Sequence, residues 1–384
     1  DDLAVTTDVC DTYYRLGGDE IRKFGGALTN RPRMHAGPTS VSGKSTPMIL
    51  QTIKKIVFGD GLPQRGALSP RLEAWIKDFR PDVIYTILGG NGLMDVVEAV
   101  HRRFGAPLVV HIMDDWMAGA FRGGLLGPMQ RRRMFRSLRR IIKKSSLRLG
   151  ICDAMCEAYS ERYGVPFRTF QNVVDTRTVA RYTTDPAVSG DPVRIVYAGS
   201  VFSYAQRQSL IDCCQAIEQL ANEGVSVQLD IHCPRPHIAG EEHLFAVGPA
   251  ISLHGPLTDN AVFFSTICAA DILLIPVNFD QKSTAFIRYS MPTRVPAYLA
   301  SGTPILVYGP SDVAQVKYAD DAGWGLVLKS QSINLLKEAI MRLIEDRPLR
   351  IRISDSARST ASAHHDMKLI NEKFKTSLAA LLAD

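Results

Sequence analysis

The sequence predicts an α/β protein built on parallel sheets, and three observations carry that expectation. Short apolar runs of strand length alternate with longer stretches of helical periodicity, the rhythm of parallel strands joined by helical crossovers. Residues 288–310, RYSMPTRVPAYLASGTPILVYGP, compress one such unit into a proline-marked turn, a short helix, a glycine stop and a strand apolar enough for burial on both faces. The 384 residues, 46% hydrophobic and 22% charged, are enough for two separate cores, and TTDPAVSGDP at 183–192 reads as a hinge between them.

Taken in order, residues 3–7 suit a short strand. LAVTTD looks more like the second strand of a nucleotide-fold domain than the first, so residues ahead of Asp1 are expected. Gly17, Gly18, Gly25 and Gly26 break the next segment into loop and short helix, without the preceding buried strand a dinucleotide fingerprint needs. GPTSVSGKST at 37–46 is similar to a phosphate loop, but Pro38 stands where that motif needs glycine; a surface loop is expected. Ser69 caps a helix over 69–79 whose Leu72, Trp75, Ile76 and Phe79 form a core-facing stripe. A strand at 82–85, a glycine-rich turn at 89–92, a helix through 100 and a buried strand at 107–112 follow. Ligands of parallel sheets bind beyond the carboxyl ends of strands, which makes residues 89–91 and 111–116 candidate positions. The second of these holds His111, Asp114, Asp115 and Trp116. Either aspartate reads equally as a cap for the following helix, and His111 as a satisfied core histidine.

Residues 128–148 hold nine Arg and Lys with no acid among them, and Met134, Leu138, Ile141 and Ile142 recur at helical spacing. This is an amphipathic basic helix whose apolar face packs on the sheet while its charges stay in water; contact with anionic lipid is the further reading. Nucleic acid is not expected as a partner, because aromatic residues are not interleaved with the charges. Beyond the hinge, a buried strand at 194–198 leads to Gly199 and Ser200, where the backbone can approach a ligand closely, and a helix from about 206 to 222 begins beside Arg207. Arg207 reads either as a ligand contact or as an exposed helix-start residue. Strands are expected at 225–232, 251–255 and 271–276, with a helix over 257–270 and a polar, irregular loop over 279–289. Pro292 places Thr293 and Arg294 at a helix start, where free N–H groups and a guanidinium favour an anion. Helices at 333–344, 348–357 and 366–382 complete the chain.

The net charge of +6 fits an acidic substrate, a membrane surface or an ordinary basic enzyme alike. The seven cysteines lack paired CxxC spacing and mostly lie in apolar runs, which fits buried thiols in a reducing cytoplasm; Cys152 and Cys156 stand one helical turn apart without further ligands for a metal. No run reaches roughly 18 apolar residues.

PTRVPAYLASGTPILVYGP resembles the donor-binding segment of the large retaining, family 4-like class of GT-B glycosyltransferases, whose members often read PSKLxEYLASGKPVL. HIMDDW at 111–116 is similar to the acceptor-side strand end of that class, and LRLGICDAMCEAYSERYGVPFRTFQNVVD at 147–175 to the run that closes its first domain. The resemblance implies two facing Rossmann-like domains, at 1–182 and 193–365, with a crossover helix at 366–384 returning to the first. It implies transfer of a sugar from a nucleotide-diphosphate donor to a glycan, lipid-linked or small-molecule acceptor, with retention and without a metal. No cofactor is implied beyond the nucleotide sugar as co-substrate. A cytoplasmic enzyme of bacterial cell-envelope polysaccharide synthesis, peripheral at the inner membrane face, is the implied setting. Carried over, His111, Asp114 and Asp115 face the reacting sugar; Gly199, Ser200, Arg207, Thr293 and Arg294 hold the diphosphate; and the loop at His254 borders the nucleobase. Such enzymes carry two glutamates eight positions apart, and here Tyr289 and Ala297 stand in their places. A nucleotide-sugar-binding scaffold without transferase activity, or an epimerase of similar fold, are the rival readings.

Overall fold

Two parallel sheets organise the chain in a computed structural model that describes residues 10–23, 56–57, 63–186 and 190–383. The strand expected at 3–7 and the loop expected at 37–46 lie outside these residues.

A small antiparallel pair comes first, β1 (Ile21–Lys23) with β2 (Gln64–Gly66). Ile21–Lys23 fall within the glycine-flanked segment read as loop and short helix; three residues carry too little periodicity to announce a strand. Helix α1 (Pro70–Phe79) begins where predicted: the Ser69 hydroxyl accepts from Leu72 N at 3.1 Å. The first parallel sheet then runs β3 (Ile84–Ile87), β4 (Leu108–Ile112), β5 (Leu147–Gly150) and β6 (Arg168–Thr169), in that spatial order. Its crossovers are α2 (Asn91–Phe104), the short α3 (Trp116–Gly119) with α4 (Gly127–Lys144), and α5 (Asp153–Tyr163). The basic helix α4 buries Met134, Leu138, Ile141 and Ile142 against the sheet as its periodicity requires. Not all of its charges stay in water, however. Arg140 makes a two-pronged pair with Glu98 at 2.9 Å, Arg133 pairs with Asp95, and Arg131 Nη1 donates to the carbonyl oxygens of Met117, Ala118 and Ala120. Acids from a neighbouring helix, invisible in the local run, compensate them.

After α6 (Thr176–Val179) the second sheet begins with β7 (Val193–Ala198), α7 (Arg207–Asn222), β8 (Val227–His232), β9 (Ile251–His254), α8 (Asn260–Cys268) and β10 (Ile272–Pro276). It continues through α9 (Gln281–Ile287), α10 (Val295–Ser301), β11 (Ile305–Tyr308), α11 (Ala314–Ala322) and β12 (Leu326–Leu328). The spatial order is β12-β11-β10-β7-β8-β9, all parallel. Helix α9 corrects the expectation of an irregular loop at 279–289. Asp280 starts it, accepting from Ser283 N at 2.9 Å, and Ser283, Thr284 and Ile287 turn inward.

Helices α12 (Ile333–Glu345) and α13 (Arg347–His364) follow, and α14 (Met367–Ala383) crosses back to the first sheet as expected. Its Phe374 stands edge-on to Tyr85 and Phe170, with ring centroids 5.7 Å away in each case. With Leu378 it covers Val109, Leu147 and Leu149. The crossing is pinned at its start. Val174 bridges to Asp366, and the buried His365 joins Asn172 O and the Tyr318 hydroxyl through its two ring nitrogens, at 2.9 and 3.0 Å. A single apolar cluster runs from beneath the first sheet, through Met117, Cys152, Ile287 and Met291, into the second.

Candidate functional site

The second sheet reverses direction between β7 and β10: the chain steps outward from β7 to β8 and β9, then returns and steps the other way. Crossovers leaving on opposite sides open a crevice beyond the strand ends at such a point. Here β7 and β10 pair only at Ile195 with Ile272 and Val196 with Leu273. Past that pairing, Ala198 N donates at 2.9 Å to the hydroxyl of Tyr298, which α10 holds fully buried.

Gly199 follows at φ +156°, and a Cβ there would lie 2.6 Å from Arg294 Nη1. Any side chain there would crowd the guanidinium and force it to move. Arg294, the N-cap residue of α10, lays its guanidinium 4.9 Å from the centre of the Tyr197 ring, a cation–π contact. Its Nε is buried without a hydrogen-bond partner among the described residues. A charged group with a donor withheld from water and left unpaired is costly, and an anion in the crevice would pair with the more exposed part of the guanidinium. Ser200 lies alongside; its carbonyl accepts from the Tyr197 hydroxyl and from Gln206. Thr293, next to Arg294, is exposed.

The other predicted residues sit differently. Arg207 opens α7, yet its guanidinium pairs with Glu241. Two of the first N–H groups of that helix are also engaged, Arg207 N with Phe202 O and Ser209 N with Asn278 Oδ1. His254 Nε2 donates to Asp230 Oδ1 at 2.9 Å and the ring stacks on His232 with centroids 4.7 Å apart, at the far edge of the sheet. Tyr289 is half-buried against the cluster that joins the two sheets, and its carbonyl accepts from Cys152 Sγ at 3.4 Å. Ala297 is buried within α10.

On the first sheet, Asp114 reaches across: its Oδ1 accepts from Ser290 Oγ at 2.9 Å. Asp115 does not face the cleft. It is buried, accepting from the Tyr159 hydroxyl at 2.7 Å with Arg162 3.8 Å away, and burial still lifts its pKa above the usual carboxylate value. Nor does His111 face the cleft. It shares the face of β4 with Val109, under α14, where Nδ1 meets the Tyr85 hydroxyl at 2.7 Å and Nε2 meets Phe170 O at 3.1 Å. Burial lowers its pKa to about 4, so it is a neutral, fully satisfied core histidine. The chain alternates faces along β4, and His111 falls on the wrong one.

Sequence reading missed Tyr298 and Ser290. Tyr298 was signalled by its place in the YLASG run, where a hydroxyl on a buried helix needs a polar partner; nothing local marked Ser290.

Comparison with known proteins agrees with the fold. Residues 50–171, which include the first parallel sheet, match the family model described as a glycosyl transferase 4-like domain. The whole fold is that of the GT-B glycosyltransferases. It is similar to sucrose-phosphate synthase from Thermosynechococcus elongatus, with a TM-score of 0.63 at 15% identity over 92% of this chain and 87% of that one. It is also similar to Anabaena HepE in complex with UDP-glucose, at 0.58 and 14% over 82% and 83%, and to an α,α-trehalose 6-phosphate synthase from Burkholderia multivorans, at 0.58 and 13% over 82% and 74%. No curated protein sequence matches the chain. No helix of the described residues is long and apolar enough to cross a membrane.

Proposed function

We propose that the protein is a nucleotide-sugar-dependent glycosyltransferase that binds the donor diphosphate at the β7–β10 crevice. The observation that carries this reading is the unpartnered, buried Nε of Arg294 beside Gly199. Gly199 lets the phosphates approach the backbone, and Arg294 offsets the negative charge that grows on the leaving nucleotide as the sugar departs. Asp114, on the opposite sheet, is the acceptor-side group: its free carboxylate oxygen orients the incoming hydroxyl. Retention, independence from metals and a lipid-linked or glycan acceptor belong to the same proposal and rest on the motif resemblance of residues 292–310.

A second reading has its own support. Tyr289 and Ala297 occupy the places of the two glutamates and neither offers a carboxylate, which favours a protein that binds a nucleotide sugar without transferring it. Incubation with UDP-, GDP- and ADP-sugars, with and without glycan and lipid acceptors, separates the two. Nucleotide release that depends on acceptor supports transfer; tight binding without release supports the scaffold; interconversion of the sugar with no acceptor present supports an epimerase. Arg294→Ala is expected to weaken UDP or GDP binding at least tenfold, about 1.4 kcal/mol, by calorimetry. Unchanged affinity removes the phosphate assignment.

The lipid-linked acceptor is linked to a surface. Arg132, Arg136, Arg139 and Lys143 lie on one exposed stripe of α4 and make no ion pair with the described residues, while Leu125 and Met129 are exposed at its start. This stripe is proposed to rest on anionic lipid at the cytoplasmic face of a membrane.

A further inference from the structure

Between Gly199 and α7 two aromatic rings stand in the open. Phe202 and Tyr204 are 36% and 41% exposed, parallel within 6°, with centroids 5.2 Å apart. Solvent-facing aromatic pairs are a poor use of apolar surface unless something covers them. These two are also held still. The Phe202 carbonyl accepts from the backbone N–H groups of Ala205, Gln206 and Arg207, and the buried Asn278 takes both sides of the loop, N to Ala205 O at 2.8 Å and Nδ2 to Ser203 O at 3.0 Å. His237 braces Phe202 from behind at 4.8 Å, and Phe286 meets Tyr204 edge-on at 4.8 Å.

Phe286 also fixes where the pair lies. Its ring comes within van der Waals reach of Gly119 on α3, so Tyr204 is next to the seam between the two sheets. Burial raises the Tyr204 phenol pKa, and the charge of Asp114 adds to the rise. The Tyr204 hydroxyl has no hydrogen-bond partner among the described residues, and Asp114 Oδ2 is likewise uncommitted, its Oδ1 being taken by Ser290. Stacked on each other and flanked by His237 and Phe286, the rings keep an exposed apolar margin, and that margin, bordered by a free hydroxyl and a carboxylate, matches a pyranose: axial C–H groups pack on the uncovered part of the rings, and ring hydroxyls donate to the carboxylate. A phosphate would be repelled by Asp114.

We propose that Phe202 and Tyr204 form a stacking platform for a neutral pyranose ring of the acceptor, with the Tyr204 hydroxyl and Asp114 Oδ2 reading its hydroxyls. The proposal deepens the transferase reading and rests on it for the word acceptor.

Saturation-transfer NMR tests it, with methyl glucoside, galactoside, mannoside and N-acetylglucosaminide as probes, in the presence of UDP or GDP. At least one pyranoside is expected to receive saturation at its axial ring protons from the wild-type protein. That signal should fall at least fivefold in the double variant Phe202→Leu/Tyr204→Leu, which keeps apolar bulk without aromatic faces, and persist largely in Tyr204→Phe. Nucleotide saturation and the melting temperature should be unchanged in both. No transfer to any pyranoside, or equal transfer in the leucine variant, overturns the platform. Loss of saturation at the nucleobase protons instead assigns the rings to the base and also overturns it. Failure of UDP and GDP to bind the wild-type protein while ring-dependent pyranoside binding remains would strike the donor reading and leave the platform standing.

Discussion

Arg294 and His111 show how far a single side chain's chemistry follows from its surroundings. The crevice holds Arg294 partly covered over the Tyr197 ring, with Gly199 so close that a side chain there would push the guanidinium aside. Gly199→Ala is therefore expected to displace the guanidinium, reduce nucleotide affinity several-fold in calorimetry on the folded variant, and lower the melting temperature because φ +156° strains any side chain. His111 behaves oppositely. Its folded pKa of about 4 lies below the ordinary 6.5, so between these values the unfolded chain takes up a proton that the folded one refuses. Stability from this residue is complete above pH 6.5 and is lost as pH falls toward 4, on the order of 3 kcal/mol at most. His111→Gln should flatten the fall in melting temperature over that window; His365 and His232, also lowered by burial, account for the slope that stays. Legibility differed accordingly. Glycine at a strand end and arginine at a proline-marked turn were readable because local geometry dictates both. The orientation of His111 was not, since alternation says that it shares a face with Val109 but not which face meets the cleft.

At the scale of elements, the clearest signals were those with a physical stop and start. Ser69 before Pro70 and Gly302 at φ +68° bounded α1 and α10 as read. Helix α9 escaped because its polar composition hid an Asp280-to-Ser283 cap, and β1 because three residues leave no period to detect. The crossover helix α14 was foreseen with its anchors. None of its side chains is fully buried, so it is held by edge contacts, chiefly those of Phe374. Phe374→Ala is expected to cost about 2 kcal/mol, below the usual range for a fully buried phenylalanine, measured by urea unfolding.

For the whole molecule, the question is where the charge of +6 goes. Within α4 the arginines divide into those matched by Asp95 and Glu98, Arg131 held by backbone carbonyls, and those left on an outer stripe. Reversing the stripe, with Arg132, Arg136 and Arg139 each changed to Glu, should abolish flotation with phosphatidylglycerol vesicles at low salt and leave neutral vesicles unbound as before. Flotation that survives in the reversed variant would dismiss the lipid surface. The first-sheet and second-sheet halves are joined by a shared apolar cluster and by hydrogen bonds that include Ser290 to Asp114 and Cys152 to the Tyr289 carbonyl.

The return of α14 orders events during synthesis. Val109, Leu147, Leu149 and Phe170 belong to the half that leaves the ribosome first, yet the residues that cover them are Ile370, Phe374, Leu378 and Leu381. A nascent chain carries that apolar face uncovered throughout translation of the second sheet, the interval in which a chaperone would engage it. The half made first is the half completed last.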